Sequence, residues 1–196
     1  MSSPIGFPFR PIPILVVALA FILAAGLQAQ TRQVLPGFAA LRWGSSRALV
    51  KKTFAEKGYF RLLSEDQAFA YFEGPWLGRQ ARIAIGFEGG RMFEAVLTFA
   101  TSGRAALRDY RDLVRGISDI YGAPTSAVEA YQPPYEIGDG REIEAIRANM
   151  ATISAAWSFA DGNDISALID RADLSTIVIY TNTALMAAYI EGLGKR

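Results

Sequence analysis

The chain contains no cysteine and no histidine among its 196 residues. Without cysteine it can form no disulfide, thiol nucleophile or thiolate metal site. Without histidine it lacks the usual general base near neutral pH and the commonest zinc ligand. These two absences exclude Ser-His-Asp hydrolysis, Cys-His catalysis and histidine-based metal catalysis.

The chain also lacks a strong net charge of either sign. Twenty basic residues face nineteen acidic ones, which gives a formal net charge of +1. No overall field therefore favours nucleic acid as a partner. With 51% hydrophobic and 20% charged residues, the composition is that of an ordinary folded protein. We expect no cofactor and no bound metal.

Residues 1–29 have the pattern of a secretory signal peptide. Arg10 is the only charged side chain, and an uncharged, mostly apolar run over 14–27 follows it. Leu27 and Ala29 fit the −3 and −1 positions of a signal-peptidase site. We therefore predict a mature protein in the bacterial periplasm or outside the cell.

An uncleaved membrane anchor is the alternative for the same segment. The apolar run is shorter than the ~20 residues that span a bilayer. Pro11 and Pro13 prevent a longer helix. No cysteine follows the run, so lipoprotein anchoring is excluded. Any membrane contact is expected only through this segment, if it stays uncleaved.

Residues 30–196 are predicted to form a single α+β domain. The spacing of apolar residues predicts helices and strands in the order α-β-β-β-α-(β)-β-β-β-α. Gly89 and Gly90 are predicted to form a two-residue hairpin turn. The repeated order suggests a tandem helix-plus-meander duplication with halves 36–101 and 102–192, whose helices pack on one face of an antiparallel sheet. The predicted helices are 46–57, 102–121 and 183–191, and the predicted strands are 66–72, 79–87, 91–100, 125–131, 152–160, 165–171 and 174–181.

The stretch Trp43-Gly44-Ser45-Ser46 precedes the first predicted helix. Without a histidine, a serine nucleophile here would need a lysine such as Lys51 as its base. The simpler interpretation is that one of the two serines caps the helix. Trp43 and Gly44 then form an apolar plug and a bend that set the helix against the sheet.

The same stretch carries a resemblance. The pattern F-x-x-L-R-W-G-S-S-R-x-x-V over residues 38–50 resembles the helix-opening motif of the β-lactamase-inhibitory-protein family. It is also similar to that of the small lipoproteins of outer-membrane assembly. The resemblance implies a binding or assembly role rather than catalysis.

Four arginines follow helical spacing at the start of the second predicted helix. An anion site for an acidic partner or a phosphate-bearing envelope ligand is one interpretation. The alternative is a solvated flank in which Arg108 and Arg115 pair with Asp112 and Asp119, four residues on. The four are Arg104, Arg108, Arg111 and Arg115.

Residues 132–147 form an acidic segment predicted to be a loop. Paired carboxylates in such a segment could hydrolyse glycans or bind calcium. The Asp161-Gly162-Asn163-Asp164 stretch is similar to part of a calcium loop, but it lies where a hairpin turn is expected. The carboxylates of the segment are Glu136, Asp139, Glu142 and Glu144.

Trp76 and Tyr135 stand in predicted turns, where aromatic side chains often anchor a partner. Trp76 could equally fold back over the edge of the sheet. Taken together, the sequence predicts an exported, non-catalytic envelope protein that binds an unknown protein or an anionic envelope ligand. A carboxylate-dependent hydrolase of envelope glycans is the alternative.

Overall fold

The computed structural model describes residues 33–101 and 103–194. The predicted signal peptide therefore lies outside the described residues. Within them, the α+β class and the antiparallel sheet are confirmed, and no helix is long and apolar enough to cross a membrane. The helices are α1 (Arg47–Lys57), α2 (Ala106–Tyr121), α3 (Glu142–Arg147) and α4 (Thr183–Leu193). The strands are β1 (Gly37–Phe38), β2 (Leu41–Arg42), β3 (Arg61–Glu65), β4 (Phe69–Trp76), β5 (Arg79–Glu88), β6 (Arg91–Phe99), β7 (Ser126–Tyr131), β8 (Ala151–Ser158), β9 (Asp164–Ile169) and β10 (Thr176–Thr181).

Strands β3 to β10 form one antiparallel sheet in the order β3-β4-β5-β6-β10-β9-β8-β7. Each half of the chain contributes a helix and a four-stranded meander, and the last strands of the two meanders, β6 and β10, meet at the centre. The element order thus repeats as the sequence suggests, with α3 inserted between β7 and β8.

The core lies between one face of the sheet and the helices α1 and α2. Strand alternation turns every second side chain toward it, including Ile83 and Ile85 of β5. Val50 and Phe54 fill it from α1. From α2, the buried side chains are those of Ala106, Tyr110, Leu113 and Ile117.

A β-bulge reverses this alternation at one end of the sheet. The register of β5 and β6 shifts between Gly86 and Phe87, opposite Phe93. Phe93 is 1% exposed but does not belong to the core cluster. Its ring stacks on that of Tyr189, with the centroids 4.9 Å apart. The C-terminal helix α4 therefore packs on the face opposite α1 and α2.

Four observed elements are absent from the prediction, namely the two-residue strands β1 and β2, the strand β3 and the helix α3. All five residues of strand β3 are exposed at the edge of the sheet, so its sequence lacks the apolar alternation by which a strand is predicted. Helix α3 lies within the predicted loop, and its six residues are too few to show helical periodicity. The predicted hairpin between β5 and β6 is confirmed, with φ of 55° at Gly89 and 74° at Gly90.

Candidate functional site

Ser46 is the N-cap of α1, and its hydroxyl accepts a hydrogen bond from the Leu49 N–H at 3.3 Å. The alternative base for a serine nucleophile, Lys51, instead lies 2.7 Å from a carboxylate oxygen of Glu65. The helix-capping interpretation is therefore confirmed for Ser46.

The residues before the cap join the helix to the sheet. Gly44, at φ 80°, donates its N–H to Met92 at 2.8 Å, and the Met92 N–H returns to the Ser45 carbonyl at 2.9 Å. The Trp43 indole N–H donates to the Leu35 carbonyl at 2.7 Å. This stretch therefore fixes α1 beside β6, and its contacts are those of a structural junction.

Arg47 holds the loop between β3 and β4, a role that its sequence context does not predict. Its guanidinium group donates to the carbonyl oxygens of Asp66, Gln67 and Phe69 at 2.8–3.0 Å. It also lies 4.4 Å from the centre of the Phe87 ring. No pattern in the sequence announces this role, because its partners are backbone atoms of another element.

The four arginines considered as an anion site are mostly paired with neighbouring carboxylates. Arg111 lies 2.6 Å from Glu129 of β7. Asp112 pairs with Arg79 at 3.2 Å and with Arg115 at 3.3 Å, rather than with Arg108 as expected. The remaining contact is between Arg108 and Asp109 at 3.6 Å, and Arg104 lies in the 3-10 turn before α2. These pairs weaken the field that an anion site would need.

The carboxylates of the acidic segment serve the fold of their own loop. Asp139 accepts from the N–H groups of Glu136 and Arg141 at 3.0 and 2.7 Å, and these bonds hold its pKa below the ordinary value. Glu142 accepts from the Gly138 N–H at 3.0 Å, and Glu144 pairs with Arg141 at 3.1 Å. Across the part of the chain that the structure describes, no group of three or more acidic side chains is arranged to hold a metal ion.

The Asp161–Asp164 turn is likewise filled by internal contacts. Asp161 accepts from the Leu35 N–H at 3.0 Å and from the Asn163 side-chain amide at 2.9 Å. Asn163 is 4% exposed, donates to the Leu35 carbonyl and accepts from Asn182. The turn thus joins the start of the described chain to the start of α4.

Neither predicted aromatic anchor stands free in solvent. Trp76 ends β4, donates to the Tyr180 hydroxyl at 3.2 Å and packs against the Phe38 ring at 4.6 Å. This placement agrees with the alternative in which it folds back onto the sheet. Tyr135 is half-buried, and the guanidinium group of Arg141 lies 4.6 Å from its ring centre.

The face of the sheet opposite the core presents a continuous surface, which we call the open face. One register row crosses all eight strands through Tyr71, Ala84, Val96 and Ile179 to Ala156. The next row includes Thr98, Ile177, Leu168, Ser154 and Val128. Among the described residues, α4 is the only helix on this face, and the side chains of both rows are mostly half-buried.

The charges of the open face are confined to its borders. Arg82 and Glu73 stand on the β4–β5 side. Glu94 and Asp164 belong to the row nearest α4, together with Gly86 and Thr181. Between these borders, the two rows on β7 to β10 consist of serine and small or branched aliphatic side chains. The surface is therefore uncharged and largely aliphatic at its centre.

Comparison of the chain with protein-family models, with curated proteins and with solved structures found no match.

Proposed function

We propose that this protein is an exported, non-catalytic binding module of the bacterial envelope, and that it binds a protein partner on the open face. The observation that carries the proposal is the run of half-buried aliphatic side chains across the centre of that face. Ile177, Ile179 and Leu168 lie on adjacent central strands with their side chains on the same side of the sheet. Contiguous apolar patches of this kind are typical of interaction surfaces.

The chemistry of the surface favours a protein over an anionic ligand. An anion site needs converging basic or N–H donors. The central rows of β7 to β10 offer serine hydroxyls and hydrocarbon instead. A partner that presents branched aliphatic or aromatic side chains would exclude water from these rows. Because these side chains are already half-buried, each would contribute less than the ~1.5–3 kcal/mol of a fully exposed one, before the costs of association.

Two further observations support a binding role. The chain has neither histidine nor cysteine, and its acidic segment is engaged in local turn and helix contacts. The helix-opening stretch resembles that of a family of inhibitory and assembly proteins. The predicted signal peptide supports an envelope location.

Capture from the envelope of the producing cells tests the proposal. The tagged protein is cross-linked in place, and the same experiment is run with Ile179→Lys, which puts a charge at the centre of the open face. Leu49→Lys is the matched control, because Leu49 is a 47% exposed side chain on α1, on the opposite side of the sheet.

The proposal requires a specific protein that is captured by the unmodified chain and by Leu49→Lys but lost with Ile179→Lys. The captured protein is then purified and titrated by calorimetry, where Ile179→Lys should weaken the affinity at least ~10-fold. Equal capture by the two lysine variants, or an equal affinity, would place the binding surface elsewhere and reject the proposal.

A further inference from the structure

We propose that α4 is a releasable cover over one end of the open face, closed while Glu94 is protonated and released when Glu94 ionises. The inference concerns regulation of the proposed binding face and so rests on that function for its biological meaning. The movement of the helix is a property of this chain alone, and it can be measured with no partner present.

Helix α4 is lightly held to the sheet. None of its eleven residues is buried, although the helix is rich in apolar side chains. Leu185, Met186 and Tyr189 lie toward the sheet and are half-buried, whereas Ile190 and Leu193 are 42% and 49% exposed. An isolated helix of this length is only marginally stable in water. Its packing on the sheet is therefore both necessary and easily lost.

The N-terminal end of α4 forms the natural hinge. The Asn182 N–H donates to the Phe93 carbonyl at 2.8 Å, and the Asn182 side chain caps the helix through the Leu185 N–H at 2.9 Å. Beyond this point, the Tyr189 ring stacks on Phe93, and the half-buried side chains of Leu185 and Met186 also lie toward the sheet. Loss of these contacts would let the rest of the helix move away while Asn182 stayed in place.

Glu94 lies at the end of the sheet that the helix covers. It follows Phe93 directly, and it is in register with Gly86 on one side and Thr181 on the other, neither of which carries a charge. Its carboxyl group is partly removed from water, and no basic side chain among the described residues forms an ion pair with it. This burial raises the pKa of Glu94 to about 7.

The charged groups around Glu94 offer the carboxylate little support. On β9, Asp164 is in register with Thr181 of β10 and therefore lies two strands from Glu94. On β5, Glu88 lies close to Gly192 of α4, and Arg82 is in register with Thr98, four residues along β6 from Glu94. Arg91 pairs in register with Glu88 at the hairpin, and α4 itself contributes an exposed Glu191. The pKa of Glu94 is therefore raised by burial rather than by neighbouring charges.

The direction of the switch follows from the difference between the covered and uncovered states. A protonated carboxyl tolerates the covered position, whereas the carboxylate regains water only when α4 moves away. The covered state is thus favoured at low pH, and it is weakened as the pH rises from the ordinary value of 4.5 to about 7. If the uncovered group titrates at its ordinary value of 4.5, the equilibrium between the states shifts by at most ~300-fold across this range. Release would add Phe93 and the Glu94 carboxylate to the open face.

Thiol labelling measures the release directly, because the chain has no cysteine of its own. Met186→Cys places a thiol on the side of α4 that lies toward the sheet, and Ala187→Cys places one on its exposed side. The ratio of their labelling rates between pH 5.5 and 8.5 cancels the change in thiolate fraction. We expect this ratio to rise at least ~10-fold with a midpoint near pH 7, and to stay flat when Glu94→Gln is added.

The proposal is overturned if the labelling ratio stays flat with pH in the protein that keeps Glu94. It is also overturned if the ratio rises by the same factor in the Glu94→Gln background. A flat ratio is also the result expected if the N–H groups at the N-terminus of α4 stabilise the ionised carboxylate in its covered position. Amide exchange of residues 184–193 in the chain without cysteine substitutions gives a second measurement that does not depend on how either variant folds. A pH-dependent release with no partner on the open face would reject the proposed function and leave the movement of α4 established.

Discussion

The guanidinium carbon of Arg47 lies 4.4 Å from the centre of the Phe87 ring, so the first residue of α1 is clamped against β5. The same guanidinium group donates to three carbonyl oxygens of the loop between β3 and β4. One side chain thus joins a helix terminus, a loop and a core strand. The edge strand β3 depends on this clamp because all of its own side chains are exposed.

Replacement of Arg47 should destabilise the protein through loss of these bonds. Arg47→Ala is expected to lower the free energy of unfolding by about 2 kcal/mol, since three charge-assisted bonds and the ring contact disappear together. Arg47→Lys keeps the charge but loses the forked geometry, so it should recover only part of the loss. Lys52→Ala on the exposed side of α1 is the control and should change stability by less than ~0.5 kcal/mol. Urea unfolding measures all three, and an Arg47→Ala value as small as the control would contradict the clamp.

The capping role of Ser46 predicts a smaller loss. Ser46→Ala removes the bond to the Leu49 N–H and should cost about 1 kcal/mol. Ser46→Asp keeps an acceptor at the cap and adds a charge that suits a helix N-terminus, so it should be close to neutral. Thermal unfolding of the two variants separates capping from any other role of the hydroxyl. Equal destabilisation by both substitutions would count against the cap.

Asn163 should be among the least replaceable polar residues. Asn163→Ala removes the acceptor of the Asn182 side-chain amide and leaves the Leu35 carbonyl with the Trp43 indole N–H as its donor, which is expected to cost about 1–3 kcal/mol. Asn163→Asp puts a carboxylate beside Asp161 and the Leu35 carbonyl, so its cost should grow between pH 4 and pH 7. Denaturant unfolding at the two pH values measures this, and a pH-independent cost for the Asp variant would contradict it.

Glu94 makes global stability depend on pH in a defined direction. Its pKa is about 7 in the folded protein against an ordinary value of 4.5, so the folded state binds more protons between these values. Its contribution is fully present below pH 4.5 and is lost as the pH rises through about 7, by at most about 3 kcal/mol. Release of α4 would reduce this loss, because the carboxylate would then be hydrated.

Glu94→Gln should therefore stabilise the protein at pH 8 and be nearly neutral at pH 5. Glu73→Gln provides the comparison, because Glu73 is paired with Arg61 at 3.1 Å and its substitution should bring no gain at pH 8. Chemical unfolding at the two pH values is sufficient. A Glu94→Gln variant with the same effect at both would show that the carboxyl group is not buried in solution.

The sequence by itself determined the fold class, most element boundaries and the β5–β6 hairpin. These features follow from local physics: the 3.6-residue and two-residue periods of apolar side chains, the positive φ angles of Gly89 and Gly90, and the cap at Ser46. The absence of histidine and cysteine likewise excluded whole classes of chemistry without any structure.

Only the tertiary structure decided which side chains share a surface. The open face depends on the order of eight strands and on their register, and neither is encoded in the period of any single strand. The bulge at Phe93 is a one-residue shift in pairing, yet it moves a large aromatic ring to the opposite face and gives α4 its contact. Arg47 and Trp76 acquire their partners, and Glu94 its burial, in the same way, because the groups around them are distant in sequence and are brought near only by the fold.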